Sequence, residues 1–117
     1  MSNSITIKSK IQNYNKKIFV SGDKSLSIRW VLFSSIASGV SKAKNLLTSK
    51  DVMASIQAVR KLGIKVVLKG HTCKIYGKGL NGYKFKKNLI IDSKNSGTLG
   101  RLILGILVNC SYPIKLI

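Results

Sequence analysis

The sequence contains no glutamate, and its only acidic residues are Asp23, Asp51 and Asp92, set against 21 lysines and arginines for a formal net charge of +18. Cysteine is nearly as scarce. Cys73 and Cys110 make no disulfide framework and offer no metal-ligand spacing, so a reducing cytosol is the simpler setting. The first residues are polar, with no hydrophobic segment of the secretory kind. The longest apolar stretch, Leu102 to Val108, is broken by Gly105 and falls far short of the ~20 residues a membrane helix needs. These absences point to one soluble, cytoplasmic domain of 117 residues.

A charge of +18 raises nucleic-acid binding as a function class. Two features of the sequence argue against a dedicated site. The lysines are scattered along the chain, and few aromatic residues are interleaved with them as a stacking platform would need. Lysine greatly outnumbers arginine while isoleucine and asparagine are abundant, the bias of an AT-rich coding sequence. Nucleic acid is therefore expected only as a partner of non-specific charge binding.

The most informative stretch is Ser21-Gly22-Asp23-Lys24-Ser25-Leu26-Ser27-Ile28-Arg29, between the apolar Ile18-Phe19-Val20 and an apolar run reaching Ile36. It reads as a turn from a strand into a helix N-terminus, where Gly22 is free to take unusual backbone angles and unpaired N–H groups face an anion. It lacks the spacing of a Walker A loop and of the Gly-x-Gly-x-x-Gly dinucleotide turn. The plain alternative is a serine-rich helix cap with two solvated cations. A second stretch, Asp92-Ser93-Lys94-Asn95-Ser96-Gly97-Thr98-Leu99-Gly100-Arg101, has the same layout, following Leu89-Ile90-Ile91 and preceding an amphipathic run. Two such turns place two helix N-termini at one end of an α/β layer, around one anion pocket.

Periodicity and turn signals give strands at about 4–8, 17–20, 40–47, 64–68, 73–76, 89–92 and 114–117 and helices at about 24–38, 50–62 and 97–110. The first two strands are read as a hairpin, Gly39 as the residue ending the first helix, and Ser49 as the cap of the second. Asp51 then sits in a first helical turn, where negative charge suits the dipole. Segments 64–68 and 73–76 form a hairpin around Lys69-Gly70-His71-Thr72, followed by the loop Gly77-Lys78-Gly79-Leu80-Asn81-Gly82. His71 and Cys73 are read as structural because no further zinc ligand has suitable spacing, and Trp30 as core. Residues 114–117 read as a strand with no partner, so the chain is expected to be cut.

Together, Gly-Asp-Lys-Ser-x-Ser-x-Arg (22–29), Asn45-Leu46-Leu47-Thr48-Ser49-Lys50-Asp51-Val52, Leu62-Gly63 and Asn95-Ser96-Gly97-Thr98 with Arg101 resemble, in order and spacing, the amino-terminal part of 5-enolpyruvylshikimate-3-phosphate synthase. The resemblance implies an α/β (α+β) fold, an incomplete piece of the inside-out barrel built from βαβαββ repeat units. It implies transfer of the enolpyruvyl group of phosphoenolpyruvate to the 5-hydroxyl of shikimate 3-phosphate, a step toward chorismate and the aromatic amino acids, with no metal or organic cofactor. On this sequence it implies that Lys24 meets both substrates and stabilises charge on the tetrahedral intermediate. Ser25 and Arg29 meet shikimate 3-phosphate, and Asn95, Gly97 and Thr98 meet phosphoenolpyruvate. Arg101 matches an arginine beside the second turn. The sequence departs from the family pattern at Ile28, Gly100 and Leu102, where His or Asn, a larger apolar residue and proline are usual.

Family enzymes are several times longer, so the resemblance implies that the proton-transferring carboxylates and further arginines lie in a missing carboxy-terminal part, and that this chain alone is inactive. The related UDP-N-acetylglucosamine enolpyruvyl transferase lacks the arginine that Arg29 supplies, so Lys24-Ser25 with Arg29 favours the shikimate enzyme. A small basic nucleic-acid-binding domain is the alternative of another class, and a non-catalytic remnant the third.

Overall fold

The computed structural model describes residues 4–10, 12, 13, 15 and 17–117. Its order is α1 (Lys24–Ile36), β1 (Ser38–Ala43), α2 (Lys50–Lys61), β2 (Lys65–Lys69), β3 (Thr72–Lys78), β4 (Leu89–Ile91), α3 (Gly97–Leu107) and β5 (Ile114–Leu116). Strands β1, β3 and β2 form an antiparallel sheet with β3 in the middle, and β4 pairs with β5 in parallel. α1 packs against both α2 and α3 and against β3, so one helical layer covers the inner face of the sheet.

Burial follows the side-chain periods. In β3, Cys73 and Ile75 point inward and are fully buried, as period-two alternation requires. They meet Ile28, Val31 and Leu32 of α1 and Val52, Ile56 and Val59 of α2 in one core, which Leu99, Ile103 and Ile91 extend toward the β4–β5 pair. Trp30 packs against this core, as read from the sequence. The buried face of α1 is rotated from the purely apolar stripe: Ser27, Ser34 and Ser35 lie inside, while Leu26 and Phe33 stay exposed. Ser35 is accommodated because its hydroxyl donates to Leu32 O at 2.6 Å and meets the Tyr83 hydroxyl at 2.6 Å. On α3 only Leu99 and Ile103 of the apolar stripe are fully inside.

Several element readings change. No strand forms in the described parts of 4–8 and 17–20; Ile5, Ile7, Ile18, Phe19 and Val20 are exposed, and the intervening turn falls partly outside the described residues. Alternation supplies a strand's faces but not its partner, and an isolated two-stranded hairpin is marginal in water. The expected βαβαββ unit is thus seen without its first strand. α1 ends at Ile36, and Gly39, with φ +95°, lies within β1 opposite Gly77 instead of ending the helix. β1 stops at Ala43 because Asn45 turns into the left-handed region (φ 59°), and Leu46 N donates instead to His71 O at 2.9 Å. Gly77 and Lys78 belong to β3, not to the following loop. α3 ends at Leu107, with Cys110 N donating to Leu107 O in a separate turn. β5 does have a partner: Ile91 opposes Leu116, and Ile117 N donates to Ile91 O at 2.9 Å.

The end of α2 is as read, and its geometry explains Gly63. Ile64 N donates to Val59 O at 3.1 Å and Gly63 N to Arg60 O at 3.0 Å, the paired bonds of a Schellman motif whose C′ residue is Gly63 at φ +85°. A Cβ there would lie 2.5 Å from Lys84 O. Gly63→Ala is expected to cost roughly 1–3 kcal/mol through backbone strain and overpacking. Urea unfolding checks this; a midpoint equal to the parent's contradicts the assignment.

Candidate functional site at the helix N-termini

Three helices begin at one end of the layer, and each carries its own cap. Asp23 Oδ1 accepts from Leu26 N at 2.6 Å, Ser49 Oγ from Val52 N at 3.5 Å and Ser96 Oγ from Leu99 N at 3.1 Å. The ends are held together by side chains of the first turns. Lys24 Nζ lies 3.1 Å from Asp51 Oδ2, joining the start of α1 to that of α2. Asp51, with Lys50, Met53 and Ala54, lines a cavity of about 380 Å3 whose other wall is Lys94 and Asn95, just before α3. The two Gly-containing turns are therefore gathered around α2, as their shared layout predicts.

The turn before α1 is fixed by backbone packing. A Cβ on Gly22 would lie 2.4 Å from Asn45 O and 2.8 Å from Leu47 N. Gly22 does not have a positive φ, so its requirement is space and not the unusual backbone angles inferred from the sequence. Asn45 Nδ2 donates to Val20 O at 3.0 Å and Leu47 N to Ser27 Oγ at 3.3 Å, completing the clamp. His71 supports it from behind: Leu46 N donates to His71 O, and His71 Nδ1 is 3.0 Å from Leu46 O. His71 is structural, and Cys73 is a buried thiol that desolvation pushes up from its ordinary value. No group of three potential metal ligands occurs among the described residues.

The expected residues fall into two sets. Lys24, Ser25 and Arg29 share the first turns of α1, with Ser25 and Arg29 four apart on one face. Asn95, Gly97 and Thr98 bracket the start of α3; Gly97 is exposed, and nothing lies within 4 Å of where its Cβ would be. Arg101 is exposed one turn further on. The two helix ends differ electrostatically. The α1 terminus already holds the Asp23 carboxylate, whereas α3 is capped by the neutral Ser96 hydroxyl. An anion therefore meets side-chain cations at α1 and the open helix dipole at α3. Sequence reading did not identify Asp23 as the α1 cap or Asn45 and Ser27 as the clamp; an aspartate directly before a helical run is a capping signal that was available.

The model of the EPSP synthase (3-phosphoshikimate 1-carboxyvinyltransferase) family matches residues 8–116. The chain belongs to that family. It is 44% identical over 103 residues to the 3-phosphoshikimate 1-carboxyvinyltransferase of Bacillus cytotoxicus, covering 88% of this chain and 24% of the relative. With the enzyme of the same name from Thermoanaerobacter sp. it shares 41% over 99 residues, 85% of this chain and 23% of the relative. The EPSP synthase structure from Acinetobacter baumannii superposes with a TM-score of 0.76 at 32% identity, over 86% of this chain and 23% of that one. The chain spans about a quarter of the length of the curated relatives it matches. The α+β fold read from the motifs is thus an EPSP synthase fold in part.

The three positions read as departures from the EPSP synthase pattern differ in their surroundings. Ile28 is fully buried in the core, a Cβ on Gly100 would meet Ser93 only at ordinary contact distance, and Leu102 is 37% exposed. A cavity of about 410 Å3 at the far end of α3, lined by Tyr83, Phe85, Cys110 and Tyr112 among others, contains none of the motif residues.

Asp92 shapes the second turn. Its Oδ1 accepts from Lys94 N at 2.7 Å and its Oδ2 lies 2.6 Å from Lys94 Nζ. The Lys94 side chain and backbone N–H together hold this carboxyl below its ordinary value of 3.8. A lowered folded-state value contributes stability above the unfolded value and loses it as pH falls through the folded one. The Asp92 carboxyl carbon is expected to titrate by NMR below 3.8, and Asp92→Asn should flatten the loss of stability under acid. A midpoint at or above the ordinary value overturns this.

Proposed function

We propose that this chain is the amino-terminal portion of a 3-phosphoshikimate 1-carboxyvinyltransferase and forms one wall of the pocket for shikimate 3-phosphate and phosphoenolpyruvate. The observation that carries the reading is the gathering of both motif turns at the N-terminal ends of three packed helices, linked by the Lys24–Asp51 pair and the cavity shared by Asp51 and Asn95. Lys24, Ser25 and Arg29 bind shikimate 3-phosphate. Asn95, Gly97 and Thr98 bind phosphoenolpyruvate at the α3 terminus, where the neutral cap and the uncrowded Gly97 suit an anion.

The chemistry follows from charge. Two polyanions must be brought together with their reacting atoms adjacent, and fixed cations with a helix end offset their repulsion at little cost in reorganisation. The 5-hydroxyl adds to the central carbon of the enolpyruvyl group, and loss of phosphate from the tetrahedral adduct restores the double bond. Lys24 stabilises the charge on that adduct. Proton transfers need a general acid and a general base. All three carboxylates of this chain are engaged locally: Asp23 caps α1, Asp51 pairs with Lys24 and Asp92 with Lys94. The His71 ring is tied to Leu46 O. Proton transfer therefore falls to groups in the remaining three-quarters of the enzyme, and this chain binds without turning over.

Titration of the isotope-labelled chain with shikimate 3-phosphate is expected to shift the amides of residues 22–29. Arg29→Ala or Lys24→Ala should weaken binding by about ten- to a hundredfold, the range for losing a charged hydrogen bond. Lys86→Ala should not. Phosphate release from the two substrates by the chain alone should be absent. Shifts spread over surface lysines and indifferent to Arg29→Ala refute the assignment.

A further inference from the structure

Lysines dispersed in the sequence from 42 to 78 are collected by the sheet onto one face. With Cys73 and Ile75 inward, Thr72, Lys74, Tyr76 and Lys78 of β3 point outward. The register sets Lys42 of β1 directly across from Lys74, Val40 across from Tyr76, and Lys65 and Lys69 of β2 across from Tyr76 and Thr72. Lys42, Lys65, Lys69, Lys74 and Lys78 are all exposed. No carboxylate answers them, because all three are engaged elsewhere. At the centre Lys65 Nζ lies 5.0 Å from the middle of the Tyr76 ring.

Like charges directly opposed across strands are destabilising, so a sheet that opposes Lys42 to Lys74 gives up stability on this face. We propose that the outer face of the β1–β3–β2 sheet is a binding surface for single-stranded nucleic acid. The lysines neutralise backbone phosphates, and the Lys65 ammonium, which lies over the Tyr76 ring, moves onto a phosphate and frees a π surface on which an unstacked base can lie. A single strand fits better than a duplex, because a broad sheet with one central aromatic ring has no element to enter a groove, while an open strand presents bases to Tyr76 and phosphates to the lysines on either side. This face lies on the side of the sheet away from the helices and uses none of the residues assigned to substrate binding.

The test is fluorescence anisotropy of a labelled oligothymidylate of about 16 nucleotides with the full chain across a salt series. The parent should bind with a steep salt slope, and more tightly than to a duplex of equal length. Lys42→Thr/Lys65→Thr/Lys74→Thr should flatten that slope by about 2, near 0.7 for each phosphate no longer neutralised. Lys84→Thr/Lys86→Thr/Lys87→Thr, with the same change of charge, should leave it near the parent's. Tyr76→Leu should weaken binding roughly tenfold at an unchanged slope. Relief of the Lys42–Lys74 repulsion should hold or raise Tm in the sheet variant, which checks that it folds. Equal flattening in the two triple variants would mean diffuse net charge and overturn the proposal. So would tighter binding to duplex, or binding only to vesicles containing phosphatidylserine.

Discussion

The backbone of Gly22 lies against Asn45 and Leu47 so closely that no side chain fits between them, and the placement of the helix N-termini depends on this contact. It fixes the turn that starts α1 to the link that starts α2, a link anchored in turn by His71 at the β2–β3 hairpin. Hydrogen bonds from Asn45 to Val20 and from Leu47 to Ser27 close the remaining gaps. The clamp is made by main-chain atoms and by the side chains of Asn45, Ser27 and His71, so it orients Lys24 and Ser25 without using their side chains. Groups supported this way lose little freedom on meeting a ligand.

The three helix ends held together there are not equivalent. α1 and α2 each carry a carboxylate near the terminus, Asp23 as a cap and Asp51 in the first turn, and Asp51 is balanced by Lys24. α3 carries none, only the Ser96 hydroxyl. With few acidic residues available, their placement sets the local field, and the field favours anions at the Gly97 end. Any anion that meets Lys24 must replace or share its ion pair with Asp51. That pair is partly exposed, so the exchange is a small one.

What the sequence made legible was local. Cap and stop signals placed α2 and its Schellman end at Gly63 within a residue, and the two motif turns announced the α1 and α3 starts. Long-range information was not legible. Residues 17–20 read as a strand but form none, while residues 114–117 read as unpartnered although β4 is a parallel neighbour reached through α3. Pairing is a property of the whole topology, which a local pattern does not contain. The role of Gly22 was misread for the same reason, because close approach involves a segment more than twenty residues away. The proposed site residues stand in motifs that the sequence shows. Their support by Asn45, Ser27 and His71 was not legible, since a hydrogen bond to a distant main-chain atom leaves no spacing to detect.

α3 shows how far the helical layer is from filled by these residues. Its inner ridge, Leu99 and Ile103, is fully buried, yet Leu104 and Val108, again four apart, form a second apolar ridge that is mostly exposed. A surface helix is apolar on one stripe and polar on the other, and a helix apolar on two sides is one made to pack on both. The mixed β4–α3–β5 unit has the same imbalance, with Ile90 and Ile117 exposed beside buried Ile91. By contrast the β1–β3–β2 sheet is finished on its outer side: lysines, Tyr76 and Thr72 alternate cleanly with the buried Cys73 and Ile75. One face of this chain thus leaves apolar ridges uncovered and the other presents charge to water, and the two motif turns sit at the end of the helices that belong to the first.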